Sequence, residues 1–539
     1  MREARRKFWG WGVEGEGPPP ERLAMVEAGL SHWLNMGKLE VTEPPQLSDV
    51  DLPAPCFQLP PSLAELGHSD DYSRLSHCYG KSYRDIVRAF ARQFEHPPDV
   101  VAYPRDEADV VRLLDFCTER RVAVIPYGGG SSVCGGVEAK LQGDFRGALS
   151  LDLGKLDRVL EVDHDSRAAH VQGGVLGPAL EAQLKPSGLT LRHYPQSFEF
   201  SSLGGWIATR AGGHFATQFT HIDDFVESLR VVTPRGTLET RRLPGSGAGP
   251  SPDRLFIGSE GALGVITSAW MRLQDRPRFR ANAAVRFKDF LGGAVALRAL
   301  VQSGLYPANC RLLDPMEALM NQADGSGEAL LLIAFESADH SLQPWIRRAV
   351  ELVRDHGGHI DDQKVRLSDT KVDDDAKREG AQAAWRDAFL RAPYLRDALI
   401  ARGVFTETFE TAVTWDRFEA LVQAVSEAAR KATAETGGEG VCTCRVTHAY
   451  PDGAAPYFTV VAPAMRGSEL QQWDVVKAAM TDAMLEHGGT VTHHHAVGRD
   501  FMPWYLKQRP SLFGDALAAA KRSLDPAGVL NPGVLVPQS

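Results

Sequence analysis

At 539 residues the chain is too long for one hydrophobic core, so two or three domains are expected. Hydrophobic residues make up 43% and charged residues 24%, the balance of an ordinary soluble globular protein. The net charge of -10 excludes a general nucleic-acid binder, and no apolar run reaches the length of a membrane span.

In chain order, Trp9-Gly10-Trp11-Gly12 followed by Pro18-Pro19-Pro20 reads as an extended arm, 22–36 as a helix and 46–62 as a Pro-rich loop. Trp9 and Trp11 beside Arg5, Arg6 and Lys7 suit a membrane surface; the alternative is an arm packed on its own protein. From residue 98 strands and helices alternate. Val100 to Tyr103 is a predicted strand. Residues 106–120 form an amphipathic helix with Val110, Val111, Leu114 and Cys117 on one face. Residues 122–125 form the next strand, ended by Pro126, which gives a β-α-β unit. Strands follow at 148–151, 168–171 and 228–232, with a hairpin turn at 233–237 and a Gly/Ser/Pro loop at 243–252. Past residue 278 the predicted elements are 282–287, 290–303, 329–336 and 343–356. Helices 415–435 and 468–487 surround strands 441–448 and 457–462, and 524–533 is a turn-rich tail. The charged stretch 359–380, with Asp373-Asp374-Asp375, reads as a mobile loop.

The seven cysteines are odd in number and irregular in spacing, and Cys442 and Cys444 are only two apart. A zinc or redox Cys-x-x-Cys pair is excluded, and a reducing cytoplasm is the simplest compartment. The basic N-terminus is followed by no apolar signal core, and Val-Pro-Gln-Ser is not a peroxisomal address.

Two local features carry chemistry. His493-His494-His495 places three groups that titrate near neutrality and bind metals in one short segment, the bland alternative being a polar loop. On a strand, His493 and His495 would share one face and His494 the other. The second feature is a set of small-residue segments. Pro126-Tyr127-Gly128-Gly129-Gly130-Ser131-Ser132 leaves a buried strand, and its bare backbone suits close approach to phosphate oxygens. It is neither a Walker loop nor a Rossmann fingerprint, and alone it is as consistent with a tight turn. Three further segments accompany it: Pro195-Gln196-Ser197-Phe198-Glu199-Phe200-Ser201 continuing to Gly204, then Thr209-Arg210-Ala211-Gly212, then Glu260-Gly261-Ala262-Leu263-Gly264-Val265-Ile266. Together they suggest a long dinucleotide laid across several loops.

These segments resemble the flavin domain of the vanillyl-alcohol-oxidase superfamily. Pro-x-Gly-Gly-Gly-x-Ser is similar to its pyrophosphate loop, Gly-Ser-Glu-Gly-x-Leu-Gly-Val-Ile-Thr to its second signature, and Asp-Pro-x-Gly-Val-Leu-Asn-Pro-Gly to its C-terminal return to the flavin. The resemblance implies an α+β fold: a two-subdomain FAD-binding domain of the PCMH type, an α/β cap with an antiparallel sheet, and a helical N-terminal region. The expected divisions are 1–95, 96–278, 279–515 and 516–539. All the residues of the four segments named above become expected cofactor contacts. Ser131 and Ser132 stand where covalently tethering members carry His, so the FAD is expected to be non-covalent.

Many members oxidise 2-hydroxy acids with a metal held by His-x-Gly-Asp-Gly-Asn-x-His and a later Glu-His-Gly. Here the matching places run from His448 to Tyr457 and from His493 to Gly498, with Tyr457 at the second His and no acidic ligand before the glycine. No metal is therefore expected. The pattern resembles the alkyldihydroxyacetonephosphate synthase branch instead, through Trp9-Gly10-Trp11-Gly12, Gly204-Gly205-Trp206-Ile207-Ala208-Thr209-Arg210-Ala211, Phe405 to Thr411 before Trp415-Asp416-Arg417, Cys444-Arg445-Val446-Thr447, and the His triplet.

That branch implies exchange of the acyl chain of acyl-dihydroxyacetone phosphate for a fatty alcohol, redox-neutral, through a flavin N5 adduct. By the resemblance Tyr457 is the base, His493, His494, His495 and His193 are catalytic, Arg311 and Arg396 bind substrate, and the protein is a homodimer. The triplet is expected to supply imidazolium that favours the Tyr457 phenolate. A lipid substrate also implies a cytoplasmic protein with peripheral membrane contact, for which Phe501 to Trp504 is a second candidate. Departures fall at Arg192-His193-Tyr194-Pro195-Gln196-Ser197, Gly213 to Thr217 and Arg499-Asp500-Phe501-Met502. The alternative is an FAD-linked oxidase or dehydrogenase of a 2-hydroxy acid or alcohol.

Overall fold

The computed structural model describes residues 5–37, 39–215, 221–361, 365–368 and 381–537. Ala216, Thr217 and Asp373 to Asp375 lie outside these residues. The first helix, Pro20–Trp33, carries proline at its start, where the missing N–H costs nothing. Helix Tyr83–Phe90 begins with a reciprocal capping box between Ser82 and Asp85.

The first sheet has four strands: β1 (Gly67–His68), β2 (Val100–Ala102), β3 (Ala123–Tyr127) and β4 (Ala148–Asp152), in the order β1-β2-β4-β3. Helix Glu107–Arg120, capped by Asp106, connects β2 to β3. The expected β-α-β unit is present, with β4 inserted between its two strands and parallel to both. Pro126 does not end β3, which runs on to Tyr127; β3 is last in its sheet, where a residue without an N–H is tolerated. The C-terminal segment returns to it, with Val124 N–H donating to Val529 O (2.7 Å) and Asn531 N–H to Val124 O (2.8 Å).

The second sheet is antiparallel. It is built from β5 (Val159–Asp163), β6 (Ala168–Gln172), β8 (Val226–Thr233), β9 (Gly236–Glu239) and β10 (Val265–Arg272) in the order β5-β6-β10-β8-β9. A small pair, β7 (Leu189–Thr190) and β11 (Gln274–Asp275), flanks it. Helix Leu203–Thr209 packs on this sheet through Leu203, Trp206 and Ile207. The glycine-rich turns leave these two sheets at their junction.

The third sheet comprises β12 (Phe279–Phe287), β13 (Asn309–Leu313), β14 (Ala329–Ser337), β15 (Arg366–Ser368), β16 (Val404–Glu410), β17 (Val413–Thr414), β18 (Val441–Ala449) and β19 (Gly453–Pro463). Its order is β15-β12-β14-β13-β18-β19-β16, antiparallel throughout, with β17 beside β19. Alternation along each strand decides the site. Cys310, Leu312, Cys444, Val446, Phe458, Phe405 and Phe409 join the large core with helices Phe290–Gln302, Gln343–Asp355, Phe418–Thr436 and Glu469–Glu486. The residues between them, Arg311, Arg445, Thr447, Tyr457, Thr406 and Thr408, line a cavity on the opposite face.

Among the helices the sequence reading left unmarked are Ala381–Ala401, Met502–Gln508 and Ser511–Leu524. The first contains Pro393, and its Leu395 and Leu399 pack in one cluster with Leu30 of the first helix. Both membrane candidates are altered by the fold. Trp11 is buried and Trp9 packs edge-on against Phe90, so the arm is packed on its own protein. Phe501 is buried and Trp504 Nε1 donates to Asp482.

Candidate active site

The cavity lies between the glycine-rich turns and the polar face of the third sheet. One wall is the turn from Pro126 through Ser132. A Cβ on Gly129 would sit 1.6 Å from the carbonyl oxygen of Phe200, so only glycine lets the two loops close on each other. Pro195, Gln196, Ser197, Ser201, Gly204, Thr209, Ala211, Gly212, Glu260, Gly261, Gly264, Val265 and Ile266 also line the cavity.

Six of the expected cofactor contacts lie elsewhere. Phe198 stacks on Trp206, and Glu199 accepts from the Tyr394 hydroxyl. Phe200 is covered by Trp11 and the Arg6 guanidinium. Arg210 pairs with Asp223 at the surface, and Ala262 and Leu263 are buried away from the cavity. These residues follow their motifs in sequence, but they lie in a short 3-10 turn, a helix cap and a loop turn that direct their side chains into core or solvent.

The opposite wall centres on Tyr457. In the register of the sheet, Glu410 on β16 and Arg445 on β18 are its direct neighbours on either side. The Arg445 guanidinium lies 3.8 Å from the Tyr457 ring centroid and pairs with the buried Glu317. Burial pushes the Tyr457 phenol above its ordinary pKa; Arg445 and the Thr408 hydroxyl oppose that rise and Glu410 adds to it.

The His triplet is a loop, not a strand, so the alternating arrangement expected of it is replaced. Its backbone wraps a single carboxylate. The N–H groups of His493, His494 and His495 all donate to Glu410, at 2.7 to 3.1 Å. His494 and His495 line the cavity and keep 16% and 18% of their side chains accessible, against 5% for His493. His493 turns away to meet the Tyr450 hydroxyl at 2.6 Å. The His494 and His495 rings lie 6.2 and 5.7 Å from that of Tyr457.

Burial, with like-charge neighbours adding to it, holds His493 and His448 well below the usual imidazole range. It brings His495 down to about 3. The expectation that imidazolium would favour the Tyr457 phenolate is thus replaced: the cation at its face is Arg445. Ligating atoms of His448, His493 and His494 nonetheless converge within 4.8 Å of one another, and His448 Nε2 has no hydrogen-bond partner among the described residues. Gly212 permits this convergence, since its Cβ would lie 2.9 Å from His448 Nε2.

His193 does not reach the cavity. It is buried among Trp206 and Phe225, and burial lowers its pKa to about 3. Arg311 and Arg396 both line the cavity, the latter donating to the carbonyl of Lys81. Asp397, next in the chain, accepts from Trp11 N–H (2.5 Å), and Arg6 donates to Gly129 O (2.7 Å), so the N-terminal arm closes one side of the site. Sequence reasoning passed over Glu410, Arg445, His448 and Trp11 as site residues. For Arg445 a signal existed: a cation alternating with Cys444 and Val446 on a core strand.

Two family profiles match the chain: an FAD binding domain over residues 98–241 and the C-terminal domain of FAD linked oxidases over 276–535. The alkyldihydroxyacetonephosphate synthase of Trypanosoma brucei brucei is 30% identical over 488 residues, 87% of this chain and 78% of that protein. The chain belongs to the alkyldihydroxyacetonephosphate synthase family. The enzyme of that name from Dictyostelium discoideum is 29% identical, over 94% of this chain and 83% of its own length. A solved alkyldihydroxyacetonephosphate synthase structure shares the fold, with a TM-score of 0.79, 24% identity and 98% of each chain covered.

FAD is the cofactor of this family's binding domain, and the site fits it. The turn from Gly128 to Gly130 presents bare backbone to the cavity, and a side chain at Gly129 would collide with the facing loop. The expected α+β architecture with a flavin domain of the PCMH type holds for this chain.

Proposed function

We propose that the protein exchanges the acyl chain of acyl-dihydroxyacetone phosphate for a fatty alcohol. The products are alkyl-dihydroxyacetone phosphate and a free fatty acid, with no net oxidation. The observation that carries this reading is the buried Tyr457 facing the cavity between Arg445 and Glu410, with His494 and His495 against it, in a chain of the synthase family.

The walls of the cavity assign the roles. Tyr457, as phenolate, takes the proton from the substrate carbon that exchanges its oxygen substituent; Arg445 at its face offsets part of the cost of that charge. His494 and His495 face the same space and relay protons to the departing carboxylate and from the incoming alcohol. Arg311 and Arg396 hold the phosphate. Met320, Leu395, Leu399 and Val461 give the cavity an apolar end suited to a hydrocarbon chain. Gly128 to Ser132, Ser197, Ser201, Gly261, Gly264, Val265 and Ile266 would hold FAD non-covalently, and its ring would supply an electrophilic centre for the exchange.

His193 acts from behind the wall, if at all, by supporting Trp206. The competing reading, a 2-hydroxy acid oxidase, lacks the acidic residue that its metal motif carries within the triplet segment, and the carboxylate that approaches the triplet, Glu410, is taken up by backbone N–H groups. The exposed Met25 and Trp33 on the helix that contributes Arg22 to the cavity support peripheral membrane contact. Exposed Leu512 and Phe513 suit either that contact or a homodimer interface. Among the described residues no helix is long and apolar enough to cross a membrane, and cytoplasmic placement fits the seven cysteines.

The test is incubation of purified holoenzyme with palmitoyl-dihydroxyacetone phosphate and labelled hexadecanol. Labelled ether product is expected, and it should persist after dialysis against a chelator because no step uses a metal. Absence of ether product together with rapid anaerobic bleaching of the flavin by a 2-hydroxy acid would overturn the reading. Acid precipitation should release the flavin into the supernatant.

A further inference from the structure

We propose that Glu410 is the positioning residue of this active site, its carboxylate arranging the three histidines against Tyr457 in place of a metal ion. Glu410 is the last residue of β16 and is almost fully buried. Its two oxygens accept five hydrogen bonds from four donors in one short segment: Thr492 Oγ1 at 2.6 Å, His493 N at 2.7 Å, His494 N at 3.1 Å to each oxygen, and His495 N at 3.0 Å. Three consecutive amides turned onto one anion form a concave nest, a backbone shape that a loop of β-disposed residues does not adopt unaided. With the amides turned inward, the three side chains fan outward. His493 then meets Tyr450, and His494 and His495 meet the cavity.

The same carboxylate is fixed to the reacting tyrosine by the sheet. Glu410 and Tyr457 are direct cross-strand partners, so the ladder of β16 and β19 sets the distance between the nest and the phenol ring. The far end of the loop is held similarly. Val497 N–H and Gly498 N–H donate to Glu260 at 2.9 and 2.8 Å, and Glu260 belongs to the second flavin signature. The triplet is thus strung between two carboxylates, the buried one of Glu410 on the Tyr457 sheet and the half-buried one of Glu260 on the flavin wall.

The groups facing Glu410 are consistent with a permanent anion. His493, His494 and His495 surround it from the loop, with Tyr457 on β19 and Tyr450 in the hairpin after β18; Lys477 approaches from helix Glu469–Glu486. Arg445 stands one strand further on, across the Tyr457 ring. Burial pushes the Glu410 carboxyl up, but its surroundings hold it well below the usual range, His494 foremost, and the three amides of the nest donate to the anion. The negative charge in turn raises the phenol of Tyr457.

The catalytic consequence rests on the alkyl-transfer reading, whereas the structural one does not, and the experiment separates them. Glu410→Gln holoenzyme is compared with wild type by hydrogen exchange, flavin absorbance and alkyl-transfer kinetics. The amides of 492–496 should exchange at least about 10-fold faster in the variant while β16 stays protected and the flavin stays bound. The kcat should fall roughly 100-fold with little change in KM, and the rising limb of the pH profile should move to lower pH, because the phenol loses a neighbouring negative charge. A purely packing role would leave that limb in place.

Unchanged exchange, or a kcat within about twofold of wild type, would overturn the proposal. If wild type makes no ether product while the exchange difference is present, the alkyl-transfer reading fails and the positioning role of Glu410 stands. Should the Gln variant not fold, Thr492→Val removes one of the four donors without touching the charge. It should accelerate exchange of the same amides with the pH limb unmoved, and an unaltered exchange pattern there would also refute the nest.

Discussion

Tyr457 sits where a single charge decides reactivity. Its phenol is raised by burial, so the phenolate fraction, and with it the rate, should climb with pH throughout the neutral range. Tyr457→Phe should keep its flavin and lose alkyl transfer by at least about 100-fold. Arg445→Gln removes the opposing cation, raises the phenol further and should displace the rising limb to higher pH, as steady-state profiles would show. Glu260 gives a second titration. Burial lifts its carboxyl from the ordinary range to about 7, so the folded state binds its proton more tightly than the unfolded one. Stability should therefore be greatest below the unfolded carboxyl's pKa and fall by up to about 3 kcal/mol as pH rises through 7. Melting curves across pH 4 to 8 should flatten in Glu260→Gln. At this scale the glycine turns were legible because their constraint is local: Gly129 must be bare wherever its loop meets another backbone. Glu410 was not, since its donors lie 82 to 85 positions away and nothing near it in sequence implies a loop wrapped round it.

The same division runs through the elements. Strands with core-facing alternation and helices with one apolar face were readable, and helix Glu107–Arg120 agrees within a residue with its pattern and Asp106 cap. For the His triplet the sequence offered a strand arrangement beside a polar loop; a carboxylate from another element imposes the turn. The N-terminal arm was ambiguous for a related reason. Two tryptophans beside three cations suit a lipid surface as well as a protein surface until their partners are known. Here the partners are Asp397, Phe200 and the Gly129 carbonyl. The arm therefore acts as one wall of the site. Trp11→Ala combined with Arg6→Ala should leave the cap folded but open that wall, releasing FAD at least about 10-fold faster in a flavin-fluorescence assay. An unaltered release rate would show that the turn around Gly129 holds without the arm.

Over the whole molecule, the last residues bind the flavin wall together. Lys521 Nζ donates to Ala262 O, Asp525 and Leu530 O at 2.6 to 2.7 Å. Asp525 in turn receives Val529 N–H and Leu530 N–H. This rigid turn feeds Leu530 against Val124 on β3. It also places Asn531, whose Nδ2 donates to Gly136 O (3.1 Å) and Glu260 O (2.7 Å). One amide thus bridges the segment after the first glycine turn and the second flavin signature, 124 positions apart in sequence. The tail's motif was visible in sequence, but its role as a bridge depends on the order β1-β2-β4-β3, which leaves β3 open to receive it. Asn531→Ala would leave two partly buried carbonyls without this donor, at a cost of about 1 kcal/mol. The loss falls on the flavin wall and not on the core of the cap sheet. Denaturant titration should therefore show flavin release moving to lower denaturant in the variant, while the unfolding of the large core, followed by far-ultraviolet dichroism, shifts less. Equal shifts of both transitions would mean that the tail stabilises the molecule as a single cooperative unit.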